Sequence, residues 1–183
     1  MPTVYDSVKA HSYASDRFSV SVINDQSRHA VNEAELIVAV QSVLNDSDVS
    51  SANISVAVVD DETTHELNRR YLDHDWPTDV LSFVLDDEHG HLEGEVIISA
   101  DTAAASAAEI GWPAAAEQLL YVIHGTLHLV GYGDTTAADK KVMQAAEARF
   151  LRQFGLREPR APIRNGVPNE KPRGPSRRGA KLR

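Results

Sequence analysis

The chain has 183 residues, of which 42% are hydrophobic, and a formal net charge of −9, so it is long enough to fold as one domain with a sizeable core. It has no cysteine, which excludes disulfides and thiolate metal sites, and no apolar run approaches the roughly 20 residues of a membrane span. Residues 1–17 are polar and lack the apolar core of a secretory signal, so we expect a cytoplasmic protein with no membrane partner.

Hydrophobic periodicity and turn signals predict alternating strands and helices. The predicted strands are 18–23, 54–59, 80–84 and 93–99. The predicted helices are 32–44, 61–71, 101–110, a segment with Pro113 at its first position that ends near Val130, and 137–154. Residues 86–92 are polar and are predicted to form a loop. The pattern predicts an α+β domain with a small sheet of about four strands covered by helices.

Charge and proline separate the C-terminal residues from the rest. Residues 157–183 contain nine Lys/Arg and two Glu, a net charge of +7, whereas residues 1–156 contain 9 basic and 25 acidic residues, a net charge of −16. Five of the eight prolines also lie in 157–183. We therefore predict a domain at 1–156 and a basic, disordered tail at 157–183. Such a tail suits a phosphate backbone, and the alternative is a solubilising segment without a partner.

Two histidines in the fourth predicted helix are spaced for metal binding. His124 and His128 are four residues apart, so they lie on one face of a helix. Gly131 can end that helix and reverse the chain, which would return the carboxylate of Asp134 toward the histidines. Three protein ligands with a remaining open position are typical of a catalytic zinc site that activates water. A chance pair of histidines on a helix face is the alternative interpretation.

The residue after the first histidine bears on which reaction a metal site here could catalyse. Zinc proteases with the H-E-x-x-H motif place their general base there, but this chain has Gly125. Glycine inside a helix costs about 1 kcal/mol relative to alanine, which indicates that another group passes close to the backbone. The sequence therefore argues against peptide hydrolysis by the usual route.

Several segments together resemble the YbeY family of bacterial endoribonucleases, also called rRNA maturation factors. Residues 124–134 (HGTLHLVGYGD) are similar to its H-G-x-L-H-L-x-G-Y-D-H signature. Residues 67–83, with PTDVLSF at 77–83, and residues 94–99 (GEVIIS) resemble two further motifs, and Met143 and Glu147 match its closing helix. The likeness spans roughly 20–154 and leaves the tail outside.

The resemblance implies a fold, a cofactor and a function. It implies a mixed sheet packed on a metal helix like that of metzincins, and one Zn²⁺ per chain with His124 and His128 as ligands. It implies cleavage of single-stranded RNA, maturation of the 3′ end of 16S rRNA and ribosome quality control. The expected partners are single-stranded RNA, rRNA and proteins of the small ribosomal subunit.

Three positions depart from the family pattern, and one of them is Gly133, where the family has an acid. The third family histidine falls at Asp134, which is a legitimate zinc ligand but widens the choice toward other divalent metals. A one-residue slip would instead place Thr135 at the ligand position. Leu72 stands where the family usually has an arginine, and Arg69 and Arg70 are the nearby candidates for that role.

No general base is obvious, so the catalytic residues remain candidates. Besides the two arginines, Thr78, Asp79 and Ser82 lie in the most family-like turn. These three either line an RNA cleft and support the metal ligands, or they cap the turn and lead into the strand. Two other functions stay open: a ribosome-assembly factor that uses its metal only structurally, and a metalloprotease.

Overall fold

The computed structural model describes residues 11–71 and 78–157, which form an α+β fold of five strands and five helices. The strands are β1 (His11–Ala14), β2 (Phe18–Asn24), β3 (Ser51–Val59), β4 (Val80–Glu88) and β5 (His91–Ser99). The helices are α1 (Glu33–Asn45), α2 (Asp61–Tyr71), α3 (Ala100–Ile110), α4 (Ala114–Leu129) and α5 (Ala137–Gln153).

The five strands form one mixed sheet in the order β1-β2-β3-β5-β4. The three central strands β2, β3 and β5 are parallel, and β1 and β4 pair antiparallel at the two edges. Val22, Val56 and Val96 are aligned across the central strands, and Ser82 of β4 lies next to Val96. The strand that leads out of the family-like turn is therefore an edge strand.

The larger hydrophobic core lies on the face of the sheet that α1 and α4 cover. Alternate residues of the central strands point into it, as expected for extended backbone. They include Phe18, Val20, Val22, Ile54, Val56, Val58, Leu92, Val96 and Ile98, all at most 3% exposed. A smaller cluster of Val59, Leu81 and Ile97 lies outside this core and packs with Leu67 of α2.

Helix α4 is the central helix of the fold. Every residue from Ala116 to Leu129 is buried, because the helix contacts the sheet, α1, α3 and α5. Its C-terminus is closed by Gly131, whose φ of 99° lets the N–H groups of Gly131 and Tyr132 donate to the carbonyls of His128 and Leu127. This capping motif ends the helix directly after the turn that carries the second histidine.

The sheet is larger than the predicted one. Strand β1 is absent from the prediction, because all four of its side chains are exposed and its place in the sheet depends on backbone pairing with β2. The predicted loop at 86–92 is wrong, since β4 continues to Glu88 and β5 begins at His91. These two ends form a hairpin whose turn at His89 and Gly90 has positive φ values of 55° and 80°.

Two smaller points concern the helices. Pro113 is the N-cap of α4 and not its first residue, so the helix begins one position later than predicted. None of the helices in the described ranges is both long and apolar enough to cross a bilayer.

The predictions at Leu72, at Pro77 and in residues 158–183 lie outside the described residues.

Candidate metal centre

The last two turns of α4 bring two imidazoles together. His124 and His128 are four residues apart on one face, and both are buried, at 5% and 9% exposure. Their rings meet edge to face with centroids 4.5 Å apart, and the two Nε2 atoms are separated by 3.0 Å. The helical spacing that the sequence indicated thus aims both nitrogens at the same point.

The reversal after Gly131 adds a carboxylate. Oδ2 of Asp134 lies 3.7 Å from Nε2 of His128, and the Asp134 side chain is 13% exposed. Candidate ligand atoms of His124, His128 and Asp134 all lie within 4.8 Å of one another. The structure therefore brings together the three residues predicted as metal ligands.

The opposite nitrogen of each imidazole is held by a hydrogen bond. Nδ1 of His124 lies 2.6 Å from Oε1 of Glu147 in α5, and Nδ1 of His128 lies 2.9 Å from the carbonyl oxygen of Tyr132. A carbonyl only accepts, so Nδ1 of His128 must carry the proton, and the carboxylate favours the same tautomer in His124. When both imidazoles are neutral, each Nε2 is then left with a lone pair that points toward the other.

The two buried imidazoles respond oppositely to their surroundings. Burial lowers the pKa of His124, but the hydrogen bond and charge of Glu147, with the charges of Asp79 and Asp134, outweigh it and raise that pKa. Burial and the neighbouring His124 lower the pKa of His128, and Asp134 only partly offsets them. One imidazolium at most is therefore favourable, because both rings cannot place a proton between nitrogens 3.0 Å apart.

The donor set fits a divalent cation. In a tetrahedral zinc site with bonds of about 2.0–2.1 Å, neighbouring ligand atoms lie roughly 3.3 Å apart. The Nε2–Nε2 distance of 3.0 Å and the Nε2–Oδ2 distance of 3.7 Å are on either side of that value. A cation between them would satisfy two lone pairs that otherwise need a shared proton.

Gly125 is in contact with the sheet. A Cβ at this position would lie 2.6 Å from Cγ1 of Val96, 2.9 Å from Oγ of Ser82 and 3.0 Å from Cγ2 of Val80. The prediction that something passes close to this backbone is confirmed. A side chain at position 125 would therefore displace these neighbours, and the chain has no general base at that position.

The other candidate residues are not among the three donors, although the charge of Asp79 acts on the pKa of His124. The side chain of Asp79 accepts from the N–H of Val80 at 2.9 Å and from the hydroxyl of Thr78 at 3.2 Å. These contacts are those of a residue that caps a turn and leads into a strand. Burial also raises the pKa of Asp79. Ser82 faces Gly125, whereas Arg69 and Arg70 are exposed in the last turn of α2.

Sequence reasoning assigned no role to two buried acids, Glu147 beside His124 and Glu117 earlier in α4. Glu147 matched a family motif, but nothing in the sequence indicated that it would contact a histidine 23 residues away. Glu117 is 5% exposed, and its Oε2 has no hydrogen-bond partner within the described part of the chain. The signal for Glu117 was available: positions 117, 121, 124 and 128 follow the helical repeat, so this acid shares the face of the two histidines.

Comparison with known proteins gives a consistent result. A family model described as endoribonuclease YbeY matches residues 21–155. A protein named endoribonuclease YbeY from Syntrophotalea carbinolica is 38% identical over 139 residues, which cover 72% of this chain and 93% of that protein. One of the same name from Moorella thermoacetica is 37% identical over 153 residues, covering 75% and 97%.

Two further matches are narrower. A Rhodopirellula baltica protein, also named endoribonuclease YbeY, is 38% identical over 120 residues, and the chain spans 62% of its length. The solution structure of a Thermotoga maritima protein matches with a TM-score of 0.52 and 24% identity, covering 73% of this chain and 87% of that one. The structural match supports the fold alone.

Proposed function

The chain belongs to the endoribonuclease YbeY family, and on this basis we propose that it is a metal-dependent endoribonuclease that cleaves single-stranded RNA. The observation that carries the proposal is the convergence of His124, His128 and Asp134 at the end of α4. Two nitrogens and one oxygen within reach of one cation leave a coordination position for water or a phosphate oxygen.

Zn²⁺ is the cation that this donor set suits best. Imidazole nitrogens suit zinc, and the oxygen of Asp134 also accommodates harder divalent ions. When bound, the cation would make a water molecule a better nucleophile near neutral pH and would offset the charge that develops on a phosphate. The protein's part is to hold His124 and His128 in the tautomer that leaves Nε2 free, through Glu147 and the Tyr132 carbonyl.

The packing of Gly125 separates this proposal from proteolysis. A metalloprotease of the H-E-x-x-H kind needs a glutamate at position 125, and the contacts with Val96, Ser82 and Val80 leave no space for one. Phosphodiester cleavage with a metal centre depends less on a residue at that position. Much of the rate acceleration can come from positioning the phosphate and stabilising the charge of the transition state. A nuclease is therefore the better fit.

The proposed substrate and partners follow from family membership. We place the chain in the maturation of the 3′ end of 16S rRNA and in ribosome quality control, in the cytoplasm, with proteins of the small ribosomal subunit as partners. Residues 1–156 carry a net charge of −16, which repels RNA at long range. The basic residues 157–183, with a net charge of +7, are the part of the chain best suited to attract it.

A non-catalytic role in ribosome assembly is the second candidate, and the sequence at Leu72 favours it. The family arginine implicated in activity is absent at that position. Arg69 and Arg70, which are exposed in the last turn of α2, are the nearby residues that could replace its charge. A metal centre that only stabilises the fold would keep the three ligands without cleaving RNA.

A cleavage assay distinguishes the two candidates. The full chain is incubated with a single-stranded RNA that contains the 3′ region of 16S rRNA, with zinc, with a chelator, and with the chelator followed by added zinc. We expect cleavage that the chelator abolishes and zinc restores, and no cleavage by His128→Ala at matched helical content. Absence of cleavage by zinc-loaded wild type, with loss of folding on chelation, would support the assembly factor.

A further inference from the structure

We propose that Glu147 is a positioning residue of the metal centre: its carboxylate accepts from Nδ1 of His124 and so holds the ring with Nε2 aimed at the cation. The inference rests on the metal centre of the proposed function and assigns a role to a residue outside the ligand set. It also predicts that α5, which carries Glu147, is required for metal affinity although it provides no ligand.

The contact is short and protected from water. Nδ1 of His124 and Oε1 of Glu147 are 2.6 Å apart, and their side chains are 6% and 7% exposed. A buried carboxylate without a partner is strongly destabilising, so a glutamate at this position needs its histidine. The same contact lets Nδ1–H donate and assigns the lone pair to Nε2, which is the form of imidazole that binds a metal.

Helix α5 holds the carboxylate in place. Met143 precedes Glu147 by one turn and Phe150 and Leu151 follow it, and all three are at most 2% exposed. These apolar side chains fix the helix against the core, so the position of the carboxylate depends on packing and not on a mobile loop. Rigid support of this kind is what a ligand histidine requires to keep its orientation.

Charge gives an independent argument. A divalent cation in a buried site is stable only if nearby negative charge offsets its own. The three donors contribute a single carboxylate, Asp134, because both histidines are neutral when they bind a metal. Glu147 provides the second negative charge, one imidazole away from the cation. His128, by contrast, is oriented by the neutral carbonyl of Tyr132, so Glu147 is the supporting group that substitution can remove.

The test measures metal affinity and histidine tautomer in the full chain. Zinc affinity is determined by competition with a chromophoric chelator for wild type, Glu147→Gln, Glu147→Asp and Glu147→Ala. Long-range ¹H–¹⁵N spectra of the metal-free proteins, at a pH at which both imidazoles are neutral, report which ring nitrogen of His124 is protonated. Gln144→Ala is the matched control, because Gln144 is exposed on the same helix.

The expected results form a series. Glu147→Ala weakens zinc binding about 10–100-fold, as loss of such a supporting partner usually does, and His124 loses its preference for a proton on Nδ1. Glu147→Asp behaves similarly because its shorter side chain draws the carboxylate back from Nδ1. Glu147→Gln retains an accepting oxygen, so it keeps the tautomer and loses less affinity. Gln144→Ala matches wild type.

Two outcomes would overturn the inference, and they are distinguishable. If wild type binds zinc and Glu147→Ala binds it equally well with an unchanged His124 tautomer, Glu147 has no positioning role although the metal centre stands. If wild type binds neither zinc nor another divalent ion, the metal centre of the proposed function fails as well. Should Glu147→Ala not fold, the near-isosteric Gln variant and the Asp variant decide the question by the same two measurements.

Discussion

Gly125 in α4 and Val96 in β5 are in backbone-to-side-chain contact so close that a Cβ on residue 125 would lie 2.6 Å from Cγ1 of Val96. The contact lies one residue after the first candidate ligand, His124. It sets the distance between the metal helix and the sheet. Glycine at this position is therefore a packing requirement of the candidate metal centre.

Gly125→Ala is expected to destabilise the protein. Alanine would favour the helix by about 1 kcal/mol, but overpacking of a well-filled core costs about 1–3 kcal/mol. The new methyl would also approach Oγ of Ser82 and Cγ2 of Val80 to 2.9 and 3.0 Å, so no single rotamer change relieves it. We expect a net loss of up to about 2 kcal/mol in the free energy of unfolding, measured by urea denaturation.

Val96→Ala provides the control in a double-mutant cycle. The single Val96 variant leaves a cavity, and the double variant places the methyl introduced by Gly125→Ala into it, so the two effects should not add. The double variant is expected to be more stable than the sum of the single losses implies. Simple additivity would mean that the contact does not limit the approach of α4 to the sheet.

Glu117→Gln is expected to stabilise the protein at neutral pH and not in acid. Burial, with the charge of Asp79, raises the pKa of Glu117 above its ordinary value of 4.5, although the Tyr121 hydroxyl opposes the shift. A raised folded-state pKa means that the stabilising protonated form is fully present below pH 4.5 and is lost as the pH rises through the folded value. The glutamine variant does not undergo this loss.

Unfolding free energies at several pH values check this prediction. The difference between Glu117→Gln and wild type should be small near pH 4 and should grow as the pH rises through the folded-state pKa of Glu117. Glu66→Gln removes an equal charge from an exposed position of α2 and should show little such trend. A constant difference across pH would contradict a raised pKa at Glu117.

The sequence predicted the core of the fold better than its edges. Strands β2, β3 and β5 have alternating or continuous apolar residues because their side chains fill the core. Strand β1 has four exposed side chains, so its existence depends on backbone pairing that leaves no side-chain pattern. The polar ends of β4 and β5 could not be predicted for the same reason. Beyond Asp86, the hairpin is held by backbone pairing between the two strands and not by buried side chains.

The candidate site was predictable where it depends on local spacing. The helical repeat predicts that His124 and His128 share one face. The conformational freedom of glycine predicts that the helix ends at Gly131. The contact of Glu147 with His124 joins α5 to α4 and depends on how the two helices pack. The residue pattern within each helix does not predict which residues of α4 and α5 come into contact. The role of Leu72 stays a prediction, because that residue lies outside the described ranges.

Asp134→Ala is expected to weaken zinc binding more than any variant of Glu147 does, because it removes a donor atom and not a supporting group. The loss should exceed the roughly 10–100-fold that follows removal of a supporting partner. Asp134→His restores the family donor set and should retain zinc while binding Mn²⁺ less well than wild type, since carboxylate oxygen suits harder ions. Metal content by mass spectrometry and competition titrations provide both values.

Thr135→Ala tests the alignment on which the assignment of Asp134 depends. If Asp134 is the ligand, the threonine variant keeps its zinc. The one-residue slip makes the opposite prediction, that Thr135→Ala loses metal and Asp134→Ala does not. The distance of 3.7 Å between Oδ2 of Asp134 and Nε2 of His128 favours the first result.

Neutralising the basic tail is expected to weaken RNA binding and its dependence on salt. Replacing all nine Lys/Arg of residues 157–183 by glutamine removes the only strongly positive segment of the chain. For single strands, the slope of log K against log salt is about −0.7 for each phosphate that the protein neutralises. The slope should therefore become shallower by about 0.7 for each tail contact that is lost, while cleavage of saturating RNA continues.

A tail in which every arginine becomes lysine separates charge from side-chain chemistry. It preserves the net charge of +7, so its affinity and salt slope should stay close to those of wild type if counterion release drives binding. If the glutamine variant instead binds RNA with wild-type affinity and slope, the tail is a solubilising segment. The acidic residues 1–156 would then require a positively charged partner, such as a small-subunit protein, to approach RNA, because their own field opposes the encounter.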